Sequence, residues 1–428
     1  MGGSILQIAA EGEQDKYLTS CPDITFFKAV YHRHTRFAME TFELDSVTRC
    51  VFGNKINIPI NKLGDLLTDL TLRIQLPGWE QPEVFDDADE ITKVSWANSI
   101  GHVLIDYVEL SIDNVVIDKL HGEWLDIWSN LTVDGDKLDA HRKMIGYMPV
   151  FDYDLTGSQE LWVRLPFWFS HNIAQALPLI AMTSVDVSLH VYTRPIEQCW
   201  CSNNPKHQHP VIEKSQSGES DMRITLLADY VMLAGSERAT TARTEHTFLI
   251  EQTQRVTRES LPSSTTLVYL DMTFRHCVKE LVWIVQRTSL TSHRQSSGGR
   301  PRNDWCNYEM VGEHEGESPI KTCRININGQ DRVSLFPATF FRMIQPFRHH
   351  SRVPDKHIFC YSFAVKPEDI QPTGTLNFSK IENPQLILEL NNSDHGGDET
   401  SNLAVRCYAR NYNVMKIKGG RCATLFQF

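Results

Sequence analysis

Cys323-Arg324-Ile325-Asn326-Ile327, running into Asn328-Gly329 and out through Arg332-Val333, is the stretch on which the fold turns, because it has a twin upstream. There Val108-Glu109-Leu110-Ser111-Ile112 runs into Asp113-Asn114 and out through Val115-Val116-Ile117. Asn-Gly between two apolar runs is the strongest short hairpin signal, since both residues tolerate positive φ. Setting Ile112 against Ile327 gives an offset of 215 residues (327 − 112). A helix-like block follows each hairpin: Gly122-Glu123-Trp124-Leu125-Asp126-Ile127-Trp128 in the first half, Thr339-Phe340-Phe341-Arg342-Met343-Ile344 in the second.

Working outward, the order of elements stays parallel. Leu161-Trp162-Val163-Arg164-Leu165 corresponds to His357-Ile358-Phe359-Cys360-Tyr361-Ser362-Phe363, and residues 177–191 correspond loosely to 375–390. Elsewhere alternation at period two marks strands with one buried and one wet face. Leu70, Leu72, Ile74 and Leu76 form one such face; Met222, Ile224, Leu226, Ala228 and Tyr230 a second; Leu386, Leu388 and Leu390 a third; Leu403, Val405, Cys407 and Ala409 a fourth. Many short strands divided by turn residues imply a sandwich or barrel, and the repeated order implies two similar β-domains in tandem. The join falls over residues 233–243, where Ala234-Gly235-Ser236-Glu237-Arg238-Ala239 lacks strand alternation. Residues 197–221 and 291–317 read as polar surface loops.

Bulk properties agree. The 428 residues suit two domains. With 41% hydrophobic and 22% charged residues, two ordinary cores can be filled. The 53 acidic and 42 basic residues give a formal charge of −11, which argues against wrapping nucleic acid. No apolar h-region follows Met1, no run approaches the ~20 apolar residues of a membrane helix, and Leu6 stands where myristoylation needs Ser or Thr. The ten cysteines are expected as reduced thiols, several within apolar runs (Cys277, Cys323, Cys360, Cys407).

Chemistry-bearing patterns are few. Cys199-Trp200-Cys201 with His207 and His209 offers thiolates and imidazoles, the ligands zinc takes, although the spacing matches no zinc module and a plain polar loop is the simpler reading. His32 and His34, two apart on a presumed strand with Glu40 beyond, faintly suggest a cupin-like metal site without its flanking glycines. His349-His350 point apart if extended and read as loop residues. Asp86-Asp87-Ala88-Asp89-Glu90 lacks calcium-loop spacing. Asn130, Asn377 and Asn391 head glycosylation sequons, on which no secretory glycan is expected. No phosphate-binding loop and no nucleophile elbow occurs. The expectation is therefore no catalytic residue, no cofactor and no metal; the class opposed to it is a β-sandwich metal- or sugar-binding protein using the loop of Cys199 and His207.

Particular blocks narrow this further. Gln14-Asp15-Lys16-Tyr17-Leu18-Thr19, then Pro22-Asp23-Ile24-Thr25-Phe26-Phe27-Lys28-Ala29-Val30-Tyr31-His32-Arg33-His34-Thr35, resembles the opening of major capsid proteins of nucleocytoplasmic large DNA viruses. Trp96-Ala97-Asn98-Ser99-Ile100-Gly101, Gly122-Glu123-Trp124, Leu165-Pro166-Phe167-Trp168, Asn303-Asp304-Trp305, Gln345-Pro346-Phe347-Arg348 and Tyr408-Ala409-Arg410-Asn411-Tyr412 resemble further blocks of that family, in both halves. His32, Arg36 and Ser20-Cys21 depart from its usual residues.

The resemblance implies an all-β chain of two tandem eight-stranded jelly-roll sandwiches with short helices in loops. The divisions would be an N-terminal arm over 1–23, jelly-rolls over 24–232 and 244–428, and a linker over 233–243. It implies a structural capsid protein, not an enzyme, made in the host cytoplasm and residing in the virion. Its partners would be two further copies in a pseudo-hexagonal homotrimer, neighbouring capsomers of an icosahedral shell, minor capsid proteins beneath it and, indirectly, an internal membrane, with no direct contact to nucleic acid. A less abundant capsid paralogue at special lattice positions is the alternative within the class. Phe26, Phe27, Tyr31 and Trp79 are candidate trimer contacts, with core packing the competing role for each.

Overall fold

The two hairpin turns take one shape. Asp113 and Asn114 have φ of 51° and 62°, Asn328 and Gly329 of 52° and 77°. Two successive left-handed residues twist the backbone in the sense that flanking strands require. The computed structural model describes residues 3–80, 94–148, 157–202, 211–212, 222–262, 264–291, 303–310, 316–391 and 402–426.

The first half carries strands β1 (Phe37–Asp45), β2 (Lys55–Ile60), β3 (Leu66–Leu76), β4 (Ile105–Ile112), β5 (Val115–His121), β6 (Gln159–Arg164), β7 (Val187–Thr193) and β8 (Arg223–Leu233). The second carries β9 (His246–Leu261), β10 (Leu267–Asp271), β11 (Cys277–Arg287), β12 (Ile320–Ile327), β13 (Gln330–Pro337), β14 (Phe359–Ser362), β15 (Gln385–Leu390) and β16 (Leu403–Lys418). Sheet order is β1-β8-β3-β6 and β2-β7-β4-β5 in the first half, β9-β16-β11-β14 and β10-β15-β12-β13 in the second, with antiparallel pairing throughout. Adding eight to every strand number converts one half into the other. This is the jelly-roll order, made twice, and the 215-residue offset carries β4 onto β12 end for end.

Each half closes its two sheets on an apolar interior. Leu70, Leu72 and Ile74 of β3 meet Ile56, Ile58, Leu110 and Leu189 in the first. Leu281, Trp283 and Val285 of β11 meet Val268, Cys323, Ile325 and Leu388 in the second. Strand β3 shows the expected alternation, half-exposed residues between buried ones. Strand β11 does not: from Val278 to Gln286 every residue is buried. Its other face, with Val282 and Ile284, packs into the first half. A strand covered on both sides loses the wet-dry alternation, and here even Lys279, Glu280 and Gln286 are buried.

Several expectations change. The join, read as a linker without strand alternation, is a helix over Gly235–Arg243 with no buried residue, so its small polar sequence suits a solvated helix. Trp79 is core, not contact surface, its ring 4.4 Å from that of Trp96. The loop of residues 291–317 is not wholly superficial, because Asn303, Cys306 and Tyr308 are buried. Cys277 is half-buried; no disulfide joins the described cysteines.

Residues 1–36 form a separate unit. Two short helices, Gly3–Ala9 and Glu13–Thr19, occupy what the sequence suggested as a patternless arm. No described residue of this unit is buried, and Tyr17, Phe26, Phe27 and Tyr31 are nine-tenths exposed. Residues 24–36, read above as the start of the first sandwich, carry no strand, so His32 and His34 are not strand neighbours. Among the described residues no helix is long and apolar enough to cross a membrane.

Candidate functional site: the joint between the sandwiches

The helix Gly122–Thr132 begins where β5 ends, and only glycine can make that corner. A Cβ at residue 122 would lie 2.0 Å from the carbonyl oxygen of Ile105 and 2.5 Å from that of His102. The helix is buried nearly all round. Trp124 and Trp128, one turn apart, project together with ring centroids 5.7 Å apart. They land on β16 of the second half: Trp124 lies 5.2 Å from the Tyr408 ring, and the Arg410 guanidinium stands 3.8 Å over Trp128.

Three buried ionic clusters surround this contact. The Glu123 carboxylate accepts from the Tyr408 hydroxyl at 2.8 Å and faces Arg406 at 3.1 Å, Arg194 at 3.5 Å and Arg255 at 3.6 Å. Burial alone would raise its pKa, but the guanidiniums of Arg406 and Arg194 and the Tyr408 hydroxyl outweigh it and bring it down to about 2. Asp126 accepts from the Lys356 ammonium at 2.7 and 2.8 Å and from the Tyr308 hydroxyl at 3.1 Å. Burial works against the Lys356 charge, yet Asp126 holds its pKa up at about 12. In the third cluster Glu280 accepts from His350 Nε2 at 2.8 Å and from Arg410 at 3.2 Å, while Glu251 pairs with Lys279 at 2.5 Å and with Arg410. Burial opposes ionisation of both Glu280 and His350; contact with His350 and then Arg410 brings Glu280 down to about 2, while Cys360 first and Glu280 after it hold His350 well above its ordinary value.

His350 follows the helix Gln345–His349 on extended backbone, yet it is no surface residue. Its side chain is fully buried, whereas His349, in the last turn of the helix Gln345–His349, is half-exposed and meets the Val365 carbonyl. Cys360 Sγ lies 3.9 Å from His350 Nδ1, so a thiol, an imidazole and a carboxylate stand in line as in a cysteine hydrolase. The likeness stops at geometry. All three side chains are sealed from solvent and burial raises the Cys360 pKa, so neither substrate nor thiolate is available.

The metal candidates are used in the same joint. Cys199 and Cys201 are buried, the second on a short strand, Trp200–Ser202, paired with Val94–Trp96. Cys199 donates to the Pro195 carbonyl at 3.4 Å, and burial pushes its pKa up to about 12. Asn303 of the second half donates to the carbonyls of Glu197 and Trp200, both at 2.8 Å, and Trp305 donates to Gln198 at 3.1 Å. Arg194 stacks on Trp305 at 3.8 Å. His207, His209 and the acidic run at residues 86–90 lie outside the described residues. Glu40 is exposed on β1. Among the described residues no group of three or more His, Cys, Asp or Glu is arranged around a metal position. A cleft of about 300 Å³ beside Trp128 is lined by His102, His141, Arg164, His171 and Glu368. Burial lowers the pKa of all three of its imidazoles, so they are neutral at pH 7.

Two equivalent jelly-rolls locked by a buried joint define a double jelly-roll protein. The comparisons make this particular. Residues 25–234 match the family described as major capsid protein N-terminus, and residues 237–423 the large eukaryotic DNA virus major capsid protein. The major capsid protein of Pyramimonas orientalis virus is 32% identical, and that of Phaeocystis pouchetii virus 30%, each alignment covering 98% of both chains. The solved PBCV-1 virus capsid (a quasi-atomic model) superposes with a TM-score of 0.73 at 26% identity over 94% of this chain and 100% of that one. The chain belongs to the major capsid protein family of large eukaryotic DNA viruses. It is a structural protein of the virion capsid, not an enzyme.

Proposed function

We propose that three copies form a trimeric capsomer with a pseudo-hexagonal outline, and that such capsomers tile an icosahedral shell. The observation carrying this is the doubled strand order. Two equivalent barrels per chain let a threefold ring offer six similar corners to a lattice. The joint supports it, since a corner is useful only if its partner is held at a fixed angle, and buried ionic networks specify geometry more than they add stability. The divisions read from the sequence, an arm over 1–23, jelly-rolls over 24–232 and 244–428 and a linker over 233–243, shift at the first boundary, because residues 1–36 form their own unit and the strands of the first sandwich begin at Phe37. The apolar surface of the N-terminal unit suits contact with minor capsid proteins beneath the shell, outside an internal membrane. Synthesis in the host cytoplasm fits the chain's reduced cysteines. No metal, cofactor or nucleic acid enters the function. Sedimentation of the purified protein should give roughly three times the chain mass, with a hexagonal outline under the electron microscope. A monodisperse monomer at capsid-like concentration would end this reading, and one zinc per chain lost on Cys199→Ser would end its metal-free part.

A further inference from the structure

The chain closes on a short hairpin with an open edge. After β16, Gly419 and Gly420, with φ of 58° and 81°, turn the backbone into a strand β17 (Arg421–Thr424). It pairs with β16 from Lys418↔Arg421 to Met415↔Thr424. There β17 continues the row of β11, whose own pairing with β16 begins at Cys277↔Tyr412. The far edge of β11 is covered by β14 and by a short strand, Leu376–Asn377. Among the described residues β17 has no strand on its far edge. In a hairpin closed by two residues, Arg421 and Lys418 form a hydrogen-bonded pair, and the direction of the backbone groups alternates from there. Those of Arg421, Ala423 and Leu425 face β16; the Leu425 amide donates to the Val414 carbonyl at 2.8 Å. The backbone groups of Cys422 and Thr424 therefore point outward.

A cleft of about 510 Å³ lies at this edge and touches both faces of the hairpin. Lys416, Lys418, Arg421 and Leu425 line it from one face, and Cys422, with Val185 of the first half, from the other. Glu245 bridges Lys416 and Lys418 at 2.5 and 3.1 Å, while Arg421 has no ion pair among the described residues. Cations on an edge keep neutral and basic strands away, and they attract an acidic one. We infer that β17 takes up an extended segment of another protein as one more antiparallel strand, a segment whose side chains alternate acidic and apolar. Its acidic residues lie beside Arg421 and Lys418, its apolar residues beside Cys422 and Val185. Opposed residues of an antiparallel pair share a face, so it is the apolar residues whose amides bond to Cys422 and Thr424. A second copy of β17 does not suit the edge, because Arg421 and the two lysines would meet their own kind. The inference stands apart from the trimeric reading, since sedimentation tests one and peptide binding the other.

The test uses the full-length protein and two short blocked peptides, one alternating Glu and Val, the other Lys and Val, with binding read by fluorescence anisotropy. The Glu-Val peptide should bind and slow hydrogen exchange at the Cys422 and Thr424 amides. The Lys-Val peptide should bind at least about tenfold more weakly. Methylating the Val amides should abolish binding, and methylating the Glu amides should leave it intact. Lys418→Glu/Arg421→Glu should weaken the Glu-Val peptide at least about tenfold and reverse the preference. Both side chains are exposed, so folding should be unchanged, as circular dichroism checks. If that variant fails to fold, the methylated peptides decide on wild type. No binding at about 1 mM, equal binding of the two unmethylated peptides, or binding that survives methylation at Val would overturn the inference and leave the trimeric reading standing.

Discussion

Gly122 shows how much geometry rests on one missing side chain. Its neighbours at 2.0 and 2.5 Å are backbone carbonyls, which cannot swing aside as a flexible side chain could. Gly122→Ala must push the joint helix out of its seat, and should cost about 3 kcal/mol or more of stability, as overpacking at a rigid site does. Gly135→Ala, with nothing near its Cβ, should change thermal stability by less than about 0.5 kcal/mol. Comparable melting temperatures for the two would refute this account of the corner. Glu280 makes the complementary point. Glu280→Gln leaves protonated His350, Arg410 and Lys279 around one carboxylate fewer, and should destabilise by about 3–5 kcal/mol in urea titration. None of this was readable locally. His349 and His350 do point apart, as neighbours on a chain should, but that rule gave no hint that the second would be buried against Glu280.

At the scale of elements, alternation was a faithful guide only where one face meets water. In β3 the polar residues between Leu70 and Leu76 are indeed half-exposed. In β16 the same pattern misleads. Arg406 and Arg410 alternate with Val405, Cys407 and Ala409 and look wet, yet they are buried against the first half. Their partners Glu123 and Trp128 sit far upstream, and no periodicity records a contact at such separation. The hairpins were legible for the opposite reason: a left-handed turn is a local demand, answered by Asp113-Asn114 and Asn328-Gly329 on the spot. The joint helix was legible as a helix but not as a joint. Its removal as a contact is testable: Trp128→Ala loses the stacking of Trp124 and the Arg410 cation–π contact. It should lower stability by about 3–5 kcal/mol. Calorimetry should also show two transitions in place of one, as each jelly-roll retains its own core. A single sharpened transition would mean that the halves are coupled elsewhere.

The whole molecule sums these buried groups into a response to acid. His102, His121 and His171 have pKa values of about 3, all lowered first by burial, so between pH 6.5 and 3 the unfolded chain takes up protons that the folded chain refuses. Their contribution is complete above pH 6.5 and is lost as pH falls through that window. Glu123 and Glu280, held near 2, add a second loss that starts below about 4.5. Asp118 works the other way. Burial raises it to about 7 despite the Thr253 and Lys119 amides, so its share is lost as pH rises from 3.8 to 7. His350, held protonated, likewise favours the folded state at low pH and loses that share only as pH rises through its elevated pKa. Three imidazoles and two carboxylates outnumber those two groups. The melting temperature of the chain should therefore fall on acidification from pH 7, gently to about pH 4.5 and steeply below it. His171 offers the control for this assignment, because it sits 5.6 Å from Trp128 in the joint. His171→Gln should flatten the slope between pH 6.5 and 4.5 while leaving the steep fall below it. A melting temperature that climbs between pH 7 and 5 would show that Asp118 and His350, not the buried neutral imidazoles, govern how this shell subunit meets acid.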